Sequence, residues 1–379
     1  MKIALVHDYL NEAGGAERVL RVLSEMYPDA PIYTAFIKNG TARDMFLDRK
    51  LYESSWGWIL KIGRLYSYLR FLLPWVWRSI DLSSYDLVIT STSGGYIARG
   101  FRVGEKTRVV AYCHTPPKWL YGYETPTGAA NKWWGRWFNY VFGPPLRYFD
   151  YRSAQRVNTW IANSREVAAR IKKFYRREAQ VVYPPVEIKS GVEKENNKRR
   201  DYFLLVTRVT GAKGVVEALN AARMGGFKLK LVGEVIEKRL KNIIKQAGEN
   251  VEYLGRVSDL ELGKLYAKAR GFIALARDED FGMTVVEAMQ CGTPVLALRS
   301  GGYKETVLDK SKIQNTKIQT GVFVEETEPQ SVVAGIRNME KIKWDHKKIS
   351  EWGQSFSRKR FEKEIRTLLR SIELRKGRG

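Results

Sequence analysis

"GFIALARDEDFGMTVVEAMQCGTPVLAL", residues 271–298, reads as a strand, a helix and a second strand in succession. The apolar run at 271–276 has the length of a buried strand, and helical apolar spacing begins at Met283. That helix is expected to stop at Gly292, because a Thr-Pro pair follows and starts the second strand. Two strands joined by a crossover helix are typical of a parallel sheet, and the stretch therefore predicts an α/β fold.

The same alternation of short apolar runs and amphipathic runs continues along the whole chain. In the first half, the predicted strands are KIALVH (2–7), APIYTAF (30–36), DLVITST (86–92), RVVAYCH (108–114), NTWIANS (158–164) and AQVVYPP (179–185). In the second half they are YFLLVTR (202–208), KLKLVG (228–233), VEYLG (251–255), GFIALA (271–276), TPVLAL (293–298) and TGVFVE (320–325). Each half therefore has the strands of one doubly wound, Rossmann-like domain.

A polar break separates the two series of strands. At 379 residues the chain is too long for one ordinary core, and "PPVEIKSGVEKENNKRRD" (184–201) has the composition of a linker. We expect an N-terminal domain at 1–187, a nucleotide-binding domain at 188–355, and an amphipathic C-terminal helix at 356–379 that packs on the N-terminal domain, with membrane contact as its alternative. Two such domains would face each other across a cleft at the carboxyl ends of their strands.

Composition limits the classes of partner. The formal net charge of +24 favours nucleic acid, anionic membrane or phosphorylated substrates, and charge alone does not choose among them. No apolar run has the length of a membrane-spanning helix, and the N-terminal sequence lacks the features of a signal peptide, so a cytoplasmic protein is expected. Cys113 and Cys291 form no CxxC pair, which argues against a disulfide framework or a zinc site.

Two glycine-containing turns follow predicted strands. Gly14 and Gly15 come after the strand that ends near His7, and they open a helix whose first amides can bind an anion. In "LLVTRVTGAKGVVEAL" (204–219), Arg208 and Lys213 occupy the equivalent turn, where both cations can reach one diphosphate. Taken singly, the glycines have a structural explanation and the cations can be solvated surface residues.

Two glutamates in the opening stretch need an explanation. Glu279 lies in the predicted loop between strand and helix, where the helix begins with the backbone amides of Phe281, Gly282, Met283 and Thr284. Glu287 follows within the apolar part of the helix, and a buried carboxylate requires hydrogen-bond donors. The hydroxyls of a ribose and of a sugar ring would be suitable donors.

"EDFGMTVVE" (279–287) resembles the E-x7-E motif of retaining nucleotide-sugar glycosyltransferases with the GT-B fold, specifically glycosyltransferase family 4. The resemblance covers essentially the whole chain. It includes, in order, GGAERVL (14–20), AYCHTPPKWLY (111–121), TRVTGAKG (207–214), LGRVSD (254–259), DEDFGMTVVEAMQCGTPVLA (278–297) and GGYKETV (301–307). Several of these motifs are weak singly, but their order and spacing are specific.

The resemblance implies roles in donor binding. Glu279 would bind donor-sugar hydroxyls together with the amides of the following residues, and Glu287 would bind the ribose. Arg208 and Lys213 would neutralise the diphosphate and stabilise the leaving group.

Five further positions are matched by the resemblance. His114 in "CHTP" would lie near the transferred sugar, and Gly14 and Gly15 would approach the phosphates or the acceptor. Arg256 and Val257 mark the place where the base stacks. A lone histidine at a strand end is otherwise often a structural residue, so the expectation for His114 depends on the family.

The residues also predict a mechanism. Fixed cations and helix-start amides oppose the charge that develops on a departing nucleoside diphosphate. No His pair or carboxylate cluster has convincing metal-ligand spacing, so we expect a metal-independent enzyme without a cofactor. The family resemblance implies retention of anomeric configuration. AYCHTPPKWLY (111–121) together with EDFGMTVVEAM (279–289) resembles the mannosyltransferases of O-antigen and exopolysaccharide assembly, so GDP-mannose is the expected donor.

Nine of the eleven tryptophans lie in the first half, mostly within 53–80 and 118–156, among arginines and lysines. This composition is typical of segments that lie at an anionic membrane surface, and it would suit a membrane-presented glycan or lipid-linked acceptor. The alternative explanation is that these aromatic residues form the core of the first domain and the lip of its cleft. Other hypotheses are a UDP-sugar donor, a nucleotide-sugar epimerase, a phosphorylase and, from another class, a protein that binds single-stranded nucleic acid. The last leaves Glu279 and Glu287 unexplained.

Overall fold

The computed structural model of the chain describes residues 1–11, 13–62, 65–123, 133–188, 201–311 and 318–376. These residues form two compact units. The first contains the described residues up to Pro184 together with those from Glu362 onwards, and the second contains those from Pro185 to Phe361. The predicted linker, apart from its ends, lies outside the described residues.

In the first unit, seven parallel strands of the described chain form one sheet in the order β3-β2-β1-β4-β5-β6-β7. The strands are β1 (Ile3–His7), β2 (Ile32–Thr34), β3 (Leu51–Glu53), β4 (Leu87–Thr92), β5 (Arg108–Cys113), β6 (Thr159–Ala162) and β7 (Ala179–Val181). The helices are α1 (Gly15–Met26), α2 (Thr41–Asp44), α3 (Gly57–Leu60), α4 (Leu73–Arg78), α5 (Trp133–Gln155) and α6 (Arg165–Tyr175), with 3₁₀ turns at Leu65–Leu72 and Lys118–Leu120. All six residues of β4 are buried, as expected for a parallel strand covered on both faces.

In the second unit, six parallel strands of the described chain form a sheet in the order β10-β9-β8-β11-β12-β13. They are β8 (Phe203–Val206), β9 (Leu229–Val232), β10 (Val251–Gly255), β11 (Gly271–Ala274), β12 (Val295–Leu298) and β13 (Gly321–Val324). The helices are α7 (Val215–Gly225), α8 (Lys238–Lys245), α9 (Asp259–Lys268), α10 (Met283–Gln290), α11 (Tyr303–Thr306), α12 (Pro329–Glu340) and α13 (His346–Gln354), and a 3₁₀ turn spans Gly211–Lys213. The last helix, α14 (Arg358–Lys376), begins in the second unit and belongs to the first from Glu362 onwards.

Both sheets reverse their direction of winding at one point. In the first unit β1 pairs with both β2 and β4, and in the second β8 pairs with both β9 and β11. Loops at the carboxyl ends of the two strands at such a switch point diverge and leave a crevice in which α/β proteins bind ligands. The residues that follow β1, β4, β8 and β11 are therefore the first place to look for a site.

The predicted α/β class with two doubly wound sheets is confirmed, and every strand expected from the sequence is present. The strand β3 was missed, and β11 ends at Ala274, two residues before the predicted end. The tail forms α14, in which Phe361, Ile365, Leu368 and Leu369 are buried, and its residues from Glu362 belong to the first unit. Among the described residues, no helix is long and apolar enough to cross a membrane.

Candidate functional site

At the switch point of the second unit, a cation from the β8 loop meets a carboxylate from the β11 loop. Lys213 Nζ donates to Glu279 Oε2 at 2.6 Å, and both side chains are partly buried. Arg208, on the same loop as Lys213, is exposed and is the second cation there. The structure thus brings together Lys213 and Glu279 and leaves the Arg208 side chain accessible.

Close backbone packing fixes the turn that contains Lys213. Gly214 has φ +68°, and a Cβ there would lie 2.5 Å from Leu275 Cβ, so only glycine fits against the end of β11. The amide of Arg277 donates to the Ala212 carbonyl at 3.3 Å, and that of Gly211 donates to Glu237 Oε1 at 2.8 Å. A main-chain hydrogen bond therefore joins the β8 and β11 loops, and the Glu237 side chain holds the turn from the β9 side.

The motif GGYKETV (301–307) packs against the loop that contains Glu279. The amide of Gly302 donates to the Glu279 carbonyl at 2.8 Å, and a Cβ on Gly301 would collide with that same oxygen. The ring of Tyr303 packs against Gly282, where a Cβ would lie 2.7 Å from it. Burial, assisted by the negative charge of Glu279, raises the pKa of Tyr303 well above its ordinary value, so its phenol stays protonated.

Helix α10 begins at this loop. Its N-cap residue, Gly282, has φ +88° and no side chain that could cap the first amides. Phe281 is buried and makes an edge-to-face contact with Phe356 at 5.6 Å, whereas Met283 and Thr284 are half-buried. The first turn of α10 therefore has no side-chain cap from its N-cap residue.

Glu287 lies on the inner side of α10 and is only 3% exposed. Its Oε2 accepts a hydrogen bond of 2.9 Å from the hydroxyl of Tyr266 on α9. Burial of this carboxylate, inferred from the sequence, is confirmed, and one of its donors is the hydroxyl of Tyr266, which sequence reasoning did not identify.

Two other predicted positions lie at the end of β10. Arg256 is exposed, and its Nη1 lies 3.5 Å from Glu234 Oε2 on the β9 loop, while Val257 is half-buried. The amide of Gly233 donates to the Gly255 carbonyl at 2.8 Å and joins these loops. Arg256 is thus placed at the same sheet edge as Lys213, two strands away.

The remaining predicted residues belong to the first unit. Gly14 is the N-cap of α1, and its amide donates a hydrogen bond to Glu17 Oε2 at 2.9 Å. The sequence predicted instead that this amide would bind a ligand. Gly15 is the first residue of α1. His114 directly follows β5 and is buried.

His114 is the last member of a hydrogen-bonded chain that we call the histidine network, formed by Glu17, His7, Ser91 and His114. His7 Nε2 lies 3.3 Å from Glu17 Oε1, and His7 Nδ1 lies 2.9 Å from the Ser91 carbonyl and 3.2 Å from Ser91 Oγ. Ser91 Oγ lies 2.9 Å from His114 Nε2. The network crosses the switch point of the first unit from β1 to β4 to β5.

The two histidines of the network have opposite pKa shifts. Burial alone would lower the pKa of His7, but the hydrogen bond and charge of Glu17 and the charge of Asp8 raise it overall. Burial, assisted by the positive charge of His7, lowers the pKa of His114 to about 3. At neutral pH His114 is therefore uncharged.

A buried aspartate shapes the loop after β4. Asp8 Oδ2 accepts hydrogen bonds from the Ser93 hydroxyl at 2.8 Å and from the amide of Gly95 at 2.8 Å, and Oδ1 accepts from the amide of Ala98 at 2.8 Å. One carboxylate thus holds the loop of residues 93–98 beside the histidine network.

Comparison with known proteins identifies both units. The sequence model described as Glycosyltransferase Family 4 matches residues 13–190, and the one described as Glycosyl transferases group 1 matches residues 188–356. Together they account for nearly the whole chain. The chain belongs to the GT-B glycosyltransferases.

Individual relatives of this GT-B glycosyltransferase are distant. An uncharacterized glycosyltransferase of Methanocaldococcus jannaschii is 28% identical over 56% of this chain, and the match spans 58% of the relative's length. An alpha-1,3/1,6-mannosyltransferase of Schizosaccharomyces pombe is 22% identical over 98% of this chain and 82% of its own length. HepE of Anabaena, solved in complex with UDP and glucose, shares the fold with a TM-score of 0.68 and 19% identity, over 98% of this chain and 100% of its own.

Sequence reasoning missed three polar residues of this GT-B glycosyltransferase, namely His7, Glu17 and Ser91. Glu17 was recognisable, because it lies three residues after the N-cap Gly14, the spacing of a capping box. Ser91 had no signal of its own, since only the pairing of β1 with β4 places it opposite His7. Among the described residues, no group of three or more His, Cys, Asp or Glu side chains is placed to hold a metal ion.

Proposed function

We propose that this protein is a retaining glycosyltransferase that moves a hexosyl group from a nucleoside-diphosphate sugar onto a membrane-presented acceptor. The observation that supports it most is the meeting of Lys213 Nζ and Glu279 Oε2, 2.6 Å apart, at the switch point of the second unit. A cation for phosphate and an acceptor for sugar hydroxyls thereby occupy one place, beside the uncapped start of α10. This combination matches a substrate with a diphosphate next to a sugar ring.

Each residue then has a defined task. Lys213 and Arg208 balance the charge of the diphosphate, Glu279 accepts hydrogen bonds from sugar hydroxyls, and Glu287 accepts from the ribose. Arg256 and Val257 border the base. The amides of residues 281–284 add further donors, which act strongly because they are fixed before the reaction.

The proposed chemistry is a substitution at the anomeric carbon. An acceptor hydroxyl oxygen forms the new bond to that carbon while the bond to the diphosphate oxygen breaks. The hydroxyl attacks from the same face of the sugar that the diphosphate leaves, so the configuration is retained without a protein nucleophile. The leaving phosphate takes the proton of the acceptor hydroxyl. The reaction needs no metal in this proposal, because Arg208 and Lys213 supply the positive charge. His114 contacts the transferred sugar.

GDP-mannose is the proposed donor. The resemblance to mannosyltransferases noted from the sequence supports it, and so does the relative of Schizosaccharomyces pombe, which is named a mannosyltransferase. A UDP-sugar is the second candidate, since HepE of Anabaena was solved in complex with UDP and glucose. A nucleotide-sugar epimerase would use the same donor residues but would transfer nothing.

The acceptor side of the proposal is supported by helix α5. One face of α5, here the α5 outer face, is exposed along its length and carries apolar and aromatic residues with arginines, namely Trp133, Arg136, Trp137, Tyr140, Val141, Pro144, Pro145, Arg147, Tyr148, Tyr151 and Arg152. Trp133 is 80% exposed and Tyr140 is 83% exposed. Solvent-exposed aromatics at helical spacing beside cations are typical of a helix that lies in a membrane interface.

The charge of the α5 outer face favours an anionic lipid surface. The acidic residue within α5 is Asp150, which is buried and paired with Arg99 on the inner side, so the outer face has arginines and no carboxylate. Phe71 stacks on Phe142 with ring centroids 5.1 Å apart, which places the segment with exposed Tyr68 and Trp75 next to the helix. We propose that this side of the first unit contacts the cytoplasmic face of a membrane and receives a lipid-linked glycan in polysaccharide or glycolipid synthesis. Residues 63–64 and 124–132 of the aromatic segments lie outside the described residues.

A panel of nucleotide sugars tests the function. A ligand that binds the folded state raises the apparent melting temperature, so GDP-mannose is expected to raise it more than UDP-, ADP- or dTDP-sugars. The selected donor is then incubated with lipid-linked acceptor, and transfer of labelled sugar with retained configuration is expected. Release of an epimerised nucleotide sugar would support the epimerase instead. The proposal would be contradicted if single-stranded nucleic acid raised the apparent melting temperature and no nucleotide sugar did.

A further inference from the structure

The register of the first sheet places three polar side chains in line. His7 at the end of β1 pairs with Ser91 in β4, and the amide of His114 donates to the Thr92 carbonyl at 2.9 Å directly after β5. Ser91 is fully buried between the two imidazoles. The positions of the protons on His7, Ser91 and His114 can be assigned from which of their partners can donate a hydrogen bond and which can only accept one.

His7 carries a proton on Nδ1, because its partner at 2.9 Å is the Ser91 carbonyl oxygen, which only accepts. Its Nε2 faces the Glu17 carboxylate, which also accepts, and the raised pKa of His7 agrees with protonation of both ring nitrogens. Glu17 is itself oriented by the Gly14 amide at 2.9 Å. Both ring nitrogens of His7 therefore face hydrogen-bond acceptors, the Glu17 carboxylate and the Ser91 carbonyl.

This arrangement determines the direction of the Ser91 hydroxyl. The N–H of His7 points at the serine from 3.2 Å, so Ser91 Oγ accepts on that side. Its single proton is left for His114 Nε2 at 2.9 Å, and a buried hydroxyl proton without an acceptor would be costly. His114 Nε2 is consequently the acceptor, and the ring proton of His114 is on Nδ1.

We propose that Ser91, oriented by the His7–Glu17 pair, is a positioning residue that fixes His114 as the neutral Nδ1–H tautomer. The inference rests on the proposed function in one respect, namely that His114 contacts the transferred sugar. In that contact His114 donates a hydrogen bond from Nδ1 to a sugar oxygen and does not act as a base. A neutral donor is suitable there, because it leaves the balance of charge around the diphosphate unchanged.

Nitrogen NMR of ¹⁵N-histidine-labelled protein tests the tautomer directly, since the chain has only three histidines, His7, His114 and His346. In the full-length wild type at neutral pH, we expect His114 to be protonated at Nδ1 and unprotonated at Nε2, and His7 to be protonated at both. In Ser91→Ala the share of His114 protonated at Nε2 should rise. Ser24→Ala is the matched control, because it removes a buried hydroxyl that donates to the Arg21 carbonyl at 2.8 Å, away from the histidine network. An Nε2–H tautomer in the wild type, or an unchanged tautomer in Ser91→Ala, would overturn the proposal.

Kinetics distinguish a positioning role from a structural one. Ser91→Ala is expected to lower kcat about tenfold or more with little change in KM for the donor, while Ser24→Ala keeps wild-type values. Glu17→Gln, which keeps an acceptor for the Gly14 amide, should shift the His114 tautomer in the same direction as Ser91→Ala but less. Equal kcat in Ser91→Ala and Ser24→Ala would contradict the positioning role. If no donor were turned over by the wild type, the proposed function would fail, and the NMR result would still decide the proton arrangement.

Discussion

Lys213 Nζ and Glu279 Oε2 lie 2.6 Å apart although 66 positions separate the two residues in the chain. Each reaches this point on a short loop after a strand of the switch point, and Gly214 and Gly301 allow the loops to approach. The salt bridge is partly buried, so its strength depends on what else enters the site. A diphosphate would compete with Glu279 for Lys213, and sugar hydroxyls would compete with Lys213 for Glu279.

Glu279 and Glu287 should differ in what they bind. Glu279→Gln is expected to reduce sugar transfer by about 100-fold while leaving the affinity for the nucleoside diphosphate unchanged or higher, because Lys213 loses its competing partner. Glu287→Gln should weaken the binding of the nucleotide sugar and of the nucleoside diphosphate equally, by about tenfold. Parallel calorimetric titrations with donor and with nucleoside diphosphate measure both effects. Equal losses for both ligands in Glu279→Gln would contradict the assignment.

Gly301 should be intolerant of a side chain. Gly301→Ala places a Cβ against the Glu279 carbonyl, so the loop must move and donor binding should be lost. Gly226→Ala is the control, since Gly226 also has positive φ (+67°) but no atom within 4 Å of a new Cβ. The control should lose only about 1 kcal/mol of stability from backbone strain. Denaturant unfolding and donor affinity are compared for both variants, and wild-type affinity in Gly301→Ala would refute the support role of the GGYKETV motif.

Because of His114, the free energy of unfolding should depend on pH at values below 6.5, the ordinary pKa of a histidine. Because its folded pKa of about 3 lies below 6.5, the unfolded chain takes up a proton between these values that the native protein does not. Stability is therefore lost as pH falls from 6.5, by up to about 1.4 kcal/mol per pH unit. His114→Gln should lose less stability between pH 7 and pH 5 than the wild type in urea unfolding. His346→Gln is the control, and parallel curves for all three proteins would show that His114 has an ordinary pKa.

The α5 outer face should govern binding to anionic vesicles. Trp133→Ser with Trp137→Ser is expected to weaken binding at least tenfold, since each buried aromatic contributes on the order of 1 kcal/mol or more. The control, Met224→Ser with Leu260→Ser, removes exposed apolar residues from the second unit and should bind like the wild type. Co-sedimentation with vesicles of anionic lipid, at low and high salt, is the measurement. Wild-type sedimentation by the tryptophan variant would exclude α5 as the contact.

The sequence predicted the strands that are buried, because burial on both faces requires continuous apolar runs such as Val295–Leu298. It missed β3, a three-residue edge strand in which Tyr52 is 47% exposed, since such a strand has neither the length nor the composition of a core strand. The loops with Lys213 and Glu279 were recognised from glycines and charges near strand ends. The histidine network was not, because strand register, which local sequence does not encode, brings Ser91 between His7 and His114.

The most direct test of the central claim is calorimetric titration of the wild type, Lys213→Ala and Lys228→Ala with GDP-mannose and UDP-glucose. Lys228 is the control because it is exposed and precedes β9, at the opposite edge of the sheet from Lys213. We expect one binding site for one of the two nucleotide sugars, at least tenfold weaker binding in Lys213→Ala, and wild-type binding in Lys228→Ala. Absence of binding by the wild type, or equal affinities in all three proteins, would contradict it.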